Sequence, residues 1–175
     1  MSEFTTRPLD ENNLELVRHW RNLDHVRTRM ATQNLISQEE QKAWFSRINK
    51  KQAEHHIYSL RGVDIGSANI SAISTENGTF EAGIYCGNSD YLGHWVNIAA
   101  SLFIYDRAFY ELGLTQSTAI ILDDNRAALN LNKSLGYISC GRHSDHIGKY
   151  TLSRDIYEVK SQGIRKVIAR NMLSD

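Results

Sequence analysis

One apolar stripe, set between two strand-like runs, fixes the terms on which this chain can fold. Ile98, Leu102, Tyr105, Phe109 and Leu112 recur at intervals of four, three, four and three, which is one buried face of a helix. Gly113 follows, where a left-handed residue closes a last turn. At 1.5 Å per residue the helix spans roughly 20 Å, about the width of a small sheet. Ahead of it stands "TFEAGIYCG" and behind it "QSTAIILDD", both short, alternating or β-branched, and bounded by turn residues. A strand, a helix and a second strand in one sheet need a crossover, and a crossover leaves the two strands parallel. The expectation is a mixed α/β domain whose sheet holds a locally parallel pair.

The rest of the chain fits around that unit. Leu14, Val17 and Trp20 fall at helical spacing and predict a helix near residues 12–21. "LDHVRTRM" reads as a second, short helix. In "ISQEEQKAWFSRI", Ser37 followed by Glu40 is a capping box, with Trp44, Phe45 and Ile48 as the expected buried face. "HHIYSLRG" and "DIGSANISAIS" join "TFEAGIYCG" as three consecutive antiparallel strands, the last two linked by the turn "TENGT". "NRAALNLNKSLG" predicts a helix opened by Asn125 or Asp124 and closed by Gly136. "YISCGR" and "GKYTLS" add two strands, and the tail from Arg154 reads as helix interrupted at Gly163. No repeat or linker divides the 175 residues, so residues 1–175 are read as one domain.

Composition narrows the class of function. Twenty basic and 20 acidic residues cancel, and 41% of the chain is apolar, an ordinary globular balance. No basic block points to nucleic acid. No apolar run is long enough to cross a bilayer, and "MSEFTTRPLDENN" lacks a signal pattern, so a cytoplasmic location is expected. Cys86 and Cys140 make no disulfide framework and read as small apolar strand residues. His55-His56 and the pair His143 and His146 lack further ligands at sensible spacing, so no metal is expected.

The crossover itself creates a binding site. The helix N-terminus gathers unpaired N–H groups and partial positive charge, where phosphate binds. Where the two parallel strands diverge, their unpaired backbone groups can accept an extended, amide-bearing ligand as an added strand. A ligand with a pyrophosphate at one end and two amides along its arm is coenzyme A.

Two stretches then resemble a known family. "EAGIYCGNSDYLGHWVN" with its long helix, and "LDDNRAALNLNKSLGY", look like the central motifs of the GNAT superfamily of N-acetyltransferases. The resemblance covers roughly residues 5–160. It implies a GNAT fold, a mixed central sheet flanked by helices with its parallel pair around the acetyl-CoA site, and acetyl-CoA as the acetyl donor. The opening "LVRHWRNLDHVRTRM" with "ISQEEQKAWFSRI" is similar to a narrower group acting on the amino group of nucleotide-linked amino-deoxy sugars. Related openings occur in ribosomal-protein N-terminal and aminoglycoside acetyltransferases. The implied partner is a small-molecule amine, first a sugar nucleotide for glycan or polysaccharide synthesis, with a homodimer left open.

The resemblance assigns residues. Ile84, Tyr85 and Cys86 would meet the thioester and its arm. The turn Gly93, His94, Trp95, Val96 and Asn97, together with Asn125, would meet the rest of the coenzyme. Trp20, Arg21, Asn22 and Arg29 are candidates for the acceptor, with Arg21, Arg27 or Arg29 suited to a diphosphate. Glu81 is the candidate to remove the amine's proton through water, against the plain alternative of a solvated strand residue.

Two departures mark the chain. Trp95 and Asn97 stand where the family's turn carries glycine or a small residue, so either Trp95 turns outward while Asn97 caps the helix, or coenzyme binding is weak and the chain is a non-catalytic binder. Asn132 stands where many relatives carry the tyrosine that protonates the departing thiolate, a group without a titratable proton. Water or Tyr137 would then substitute.

Overall fold

In the computed structural model, which describes residues 4–30 and 32–174, the chain is built on one seven-stranded sheet. Its strands are β1 (Phe4–Pro8), β2 (Glu54–Leu60), β3 (Val63–Ser74), β4 (Thr79–Cys86), β5 (Gln116–Leu122), β6 (Ile138–Ser144) and β7 (Ile147–Ser153). They lie in the order β1-β2-β3-β4-β5-β7-β6. Each neighbouring pair is antiparallel except β4 and β5, which run parallel across the crossover. The helices are α1 (Leu14–Asn22), α2 (Asp24–Arg27), α3 (Gln38–Ser46), α4 (Trp95–Asp106), α5 (Arg126–Leu135) and α6 (Arg154–Ser174).

Strand alternation sorts the helices between the two faces. On β2, Ile57 packs with Val17 and Trp20 of α1, while its neighbour Tyr58 belongs to the cluster around α4. Successive strand residues point to opposite faces, so α1 and α4 lie on opposite sides of the sheet. The α4 side holds the larger core: Phe80, Tyr105, Phe109 and Tyr157 interlock with ring centroids 5.1–6.2 Å apart. Leu102, Tyr105 and Phe109 of the expected stripe are buried, and Ile98 and Leu112 half-buried. Helix α4 continues into a wider π-type segment over Arg107–Glu111, and Gly113 follows with φ +69.

One strand is added and three local expectations are corrected. Phe4–Pro8 forms a strand that its sequence does not announce: one apolar residue in five gives no periodicity, and the order comes from pairing with β2. Gly163 does not interrupt α6, which stays helical from Arg154 to Ser174. A Cβ there would meet nothing within 4 Å, and the opposite side is anchored by buried Tyr157, Ser161 and Ile168. On α3 the capping box forms as expected, with Ser37 Oγ accepting from Glu40 N–H at 3.1 Å and Glu40 Oε2 accepting from Ser37 N–H at 2.7 Å. Trp44, Phe45 and Ile48 are only half-buried, and the buried residue of α3 is Gln41. Cys140 is exposed on β6, an edge strand, and Cys86 half-buried on β4.

Candidate functional site

The parallel pair is short. β4 and β5 are in register only at Thr79, Phe80 and Glu81, opposite Gln116, Ser117 and Thr118. Beyond Glu81 the two strands part. On its other side β4 stays paired with β3 as far as Cys86, and Gly87 N–H continues the ladder to Ile65 O at 2.8 Å. Alternation along that ladder turns the backbone groups of Ala82, Ile84 and Cys86 toward β5, and no β5 residue pairs with them. Of the three residues that the sequence reading places along this edge, the parting opens the backbone of Ile84 and Cys86, whereas the backbone of Tyr85 faces β3.

The turn after β4 ends in α4. Gly93 takes φ +76, a left-handed conformation that glycine adopts without penalty. The cap is His94, not Asn97: His94 Nδ1 accepts from Val96 N–H at 3.3 Å. Asn97 has another task. Its Nδ2 donates to Tyr91 O at 2.7 Å and His94 O at 3.2 Å, and its Oδ1 accepts from the Tyr58 hydroxyl at 2.7 Å. Nor does Trp95 turn outward. Its indole is 7% exposed and packs into the α4 core, so the bulk that replaces glycine goes into the protein.

Across the gap, Asn125 caps α5 by accepting from Ala128 N–H at 3.2 Å. A cavity of about 410 Å³ opens beneath α5, lined by Ile121, Leu129, Asn132, Tyr137 and Tyr150 among others. Asn132 Nδ2 donates to Ala128 O at 2.8 Å. The Tyr137 hydroxyl is bonded to Ser117 Oγ at 2.5 Å and to the Tyr105 hydroxyl at 3.0 Å. Since Ser117 lies opposite Phe80, this chain of hydroxyls sits where the strands begin to part. Burial pushes the Tyr137 phenol up to about 12.

On the α1 side, Glu81 is exposed and shares its face of β4 with Tyr85. Arg21 of α1 lies beside Tyr85. Burial lowers the Arg21 pKa, and the same burial pushes the Tyr85 phenol up to about 12. The Arg21 Nη1 atom is shielded from solvent with no hydrogen-bond partner among the described residues. The other two arginines have carboxylate partners, Arg27 in Asp24 at 2.6 Å and Arg29 in Asp124 Oδ2 at 3.3 Å, although Arg27 Nε is also shielded without a hydrogen-bond partner among the described residues. Trp20 and Asn22 serve the scaffold. Trp20 is 5% exposed and fills the space beside Gly87, where a Cβ would lie 2.1 Å from its ring. Asn22 clamps the Ile36 backbone, accepting from its N–H and donating to its carbonyl, both at 2.9 Å.

Sequence reasoning misses two residues. His25 of α2 donates through Nε2 to Cys86 O at 3.1 Å, 61 positions away. With Arg29 holding Asp124, the segment around α2 bridges the parted strands. Tyr58 reaches Asn97 across 39 positions. Neither has a local signal, because each acts through a contact between distant segments. Among the described residues no group of three or more His, Cys, Asp or Glu side chains gathers to hold a metal, and no helix is long and apolar enough to cross a membrane.

A mixed sheet parted beside one parallel pair, with a helix N-terminus at the mouth of the gap, defines an architecture for holding an acyl thioester. Residues 4–138 match the family model described as acetyltransferase (GNAT) domain. The chain belongs to that family, which makes it an N-acetyltransferase drawing on acetyl-CoA. No curated protein sequence matches the chain. Among solved structures it is similar to spermidine N-acetyltransferase from Vibrio cholerae in complex with CoA and spermine (TM-score 0.78, 15% identity, 89% of this chain and 98% of that one). It is also similar to apo FdhC, a nucleotide-linked sugar GNAT (0.76, 18%, 91% and 92%), and to aminoglycoside acetyltransferase AAC(6')-Ib in complex with coenzyme A (0.72, 17%, 89% and 98%). At these identities the likeness establishes the fold.

Proposed function

We propose that the acceptor is the amino group of an anionic, nucleotide-linked amino sugar. One observation carries this choice: the shielded, unpartnered Nη1 of Arg21 on the acceptor side of β4. A shielded guanidinium nitrogen without an acceptor is unfavourable, and a diphosphate supplies a charge-assisted, bidentate partner. A polyamine or aminoglycoside would instead bring further positive charge against it. Similarity to a nucleotide-linked sugar GNAT is consistent with this reading, although polyamine and aminoglycoside enzymes share the fold equally well.

The chemistry asks little of the protein. Acetyl-CoA supplies an activated acyl group whose thiol departs with a pKa near ~8.5. The acceptor must arrive as a free base, and ring oxygens make a sugar amine less basic than a lysine at about 10.4. In our reading Glu81, exposed at the vertex of the gap, takes the amine's proton through water. The N–H groups of the open β4 edge around Ile84 and Cys86 steady the oxygen that gains charge. The turn Gly93–Asn97 and the Asn125 cap hold the coenzyme's far end. A proton passing from Tyr137, at about 12, to a thiolate near ~8.5 runs uphill, so Tyr137 acts by hydrogen bonding and water returns the proton past Asn132.

Thiol release with a panel of amino-sugar nucleotides, spermidine, an aminoglycoside and short peptides tests the assignment. An amino-sugar nucleotide is expected to give the highest kcat/KM, and Arg21→Met to raise its KM about tenfold or more. Because that variant removes a half-buried, partly unpartnered charge, its melting temperature should hold or rise. Preference for spermidine, or an unchanged KM in Arg21→Met, would overturn the proposal.

A further inference from the structure

The turn ahead of α4 is poor in glycine yet tightly shaped, and side chains do the shaping. From Asn97, the third residue of α4, a single amide grips the carbonyls of Tyr91 and His94. Behind it stands Tyr58 of β2, whose hydroxyl lies 2.7 Å from Asn97 Oδ1 and 3.2 Å from Tyr85 O on β4. Two side chains thus tie the turn to the strand that carries the open edge. Tyr58 is fully buried, and burial raises its phenol's pKa, so it stays a protonated donor.

We infer that Tyr58 and Asn97 are positioning residues for the diphosphate-binding turn. In a trans peptide the carbonyl and the next N–H point in opposite directions. Holding Tyr91 O and His94 O against Asn97 therefore keeps two carbonyl oxygens from facing an anion and turns the peptide after His94 with its N–H away from Asn97; the Leu92 N–H is taken by Ser89 O at 3.2 Å. Family members reach the same curvature with residues that lack bulk. Here Asn97 stands at a small-residue position and replaces conformational freedom with hydrogen bonds, which also explains how Trp95 is accommodated: the backbone path is held from beneath, and the indole is left to the core. Neither residue takes part in bond making.

This inference rests on acetyl-CoA being the donor, and the test separates the two. kcat/KM is measured with acetyl-CoA and with S-acetylpantetheine, which lacks the diphosphate, for the wild type, Tyr58→Phe and Asn97→Ala. Coenzyme A binding is measured in parallel by calorimetry. Tyr58→Phe, which keeps the buried ring, is expected to raise the acetyl-CoA KM about tenfold with kcat nearly unchanged, and Asn97→Ala to raise it further. The acetylpantetheine kcat/KM should stay within about twofold. Parallel losses for both donors, or no loss for either, would overturn the positioning role. Failure of the wild type to bind coenzyme A would instead remove the reading of the donor on which it depends.

Discussion

Glu81 stands at the last paired residue before β4 and β5 part, exposed on the face it shares with Tyr85. In the mechanism proposed above, this carboxylate takes the amine's proton. Glu81→Gln is expected to lower kcat about 10²-fold with little change in the acetyl-CoA KM, since general-base help is worth roughly that much. Steady-state rates across pH check it, and an unchanged kcat would assign the proton to another route. Single residues divide sharply in how legible they are. Asn125 as a cap and Gly113 as a helix end follow from local rules. Arg21 could be named as a candidate, but its lack of a partner could not, because that depends on Arg27 and Arg29 finding theirs. Asn97 in the sequence looks like a blemish in a glycine motif. Its role appears only once Tyr58 arrives beneath it.

Between β2 and β3 the chain reverses over two residues, Arg61 at φ 51 and Gly62 at φ 78, with Leu60 paired to Val63. Two successive left-handed residues make the turn type that best suits the twist of a hairpin, and asparagine is favoured at its first position. An arginine held there costs about 1–2 kcal/mol relative to an extended or right-handed conformation. Arg61→Asn should therefore stabilise the protein by about 1 kcal/mol, raising the melting temperature by roughly 2–4 °C for a chain of this size; calorimetric melting of the two proteins checks it. The same scale shows where periodicity informs and where it fails. The helices α1, α4 and α5 and the strands β2 to β5 carry their own patterns. β1 carries none, because an edge strand of five residues is ordered by its neighbour. Helix α6 passes through Gly163 because buried Tyr157 and Ile168 to either side hold it to the core, a tertiary contact that outweighs glycine's penalty of roughly 1 kcal/mol. The parallel pairing of β4 and β5 follows from the crossover, but their parting beyond Glu81 is a register that no composition encodes.

At the scale of the whole molecule, acid is the condition to which this fold is most exposed. His55, half-buried edge-on to Trp44 at 4.9 Å, is lowered to about 4 by burial and by His56. In the unfolded chain it titrates near 6.5. Between those values the unfolded state binds a proton that the native state refuses, so stability falls with pH by up to about 1.4 kcal/mol per unit. Asp64 and Glu54 act in the same direction further down. Each is held below its ordinary value, Asp64 mainly by Arg7 and Glu54 mainly by Arg107, and the stability they give above the carboxylate range is lost as pH drops through their folded values. Urea midpoints should be level near pH 7.5 and fall progressively from about 6.5 downward. His55→Gln should shallow the decline between about pH 6.5 and 4, the remainder coming from His56, which burial also lowers, while leaving the carboxylate limb. A different kind of pressure would act on Arg21. A half-buried guanidinium whose Nη1 is shielded without a partner is a liability to the resting protein and an asset only in company. On the role proposed for it, a laboratory selection for heat resistance alone would discard it early, yielding a sturdier molecule with a weaker hold on its acceptor.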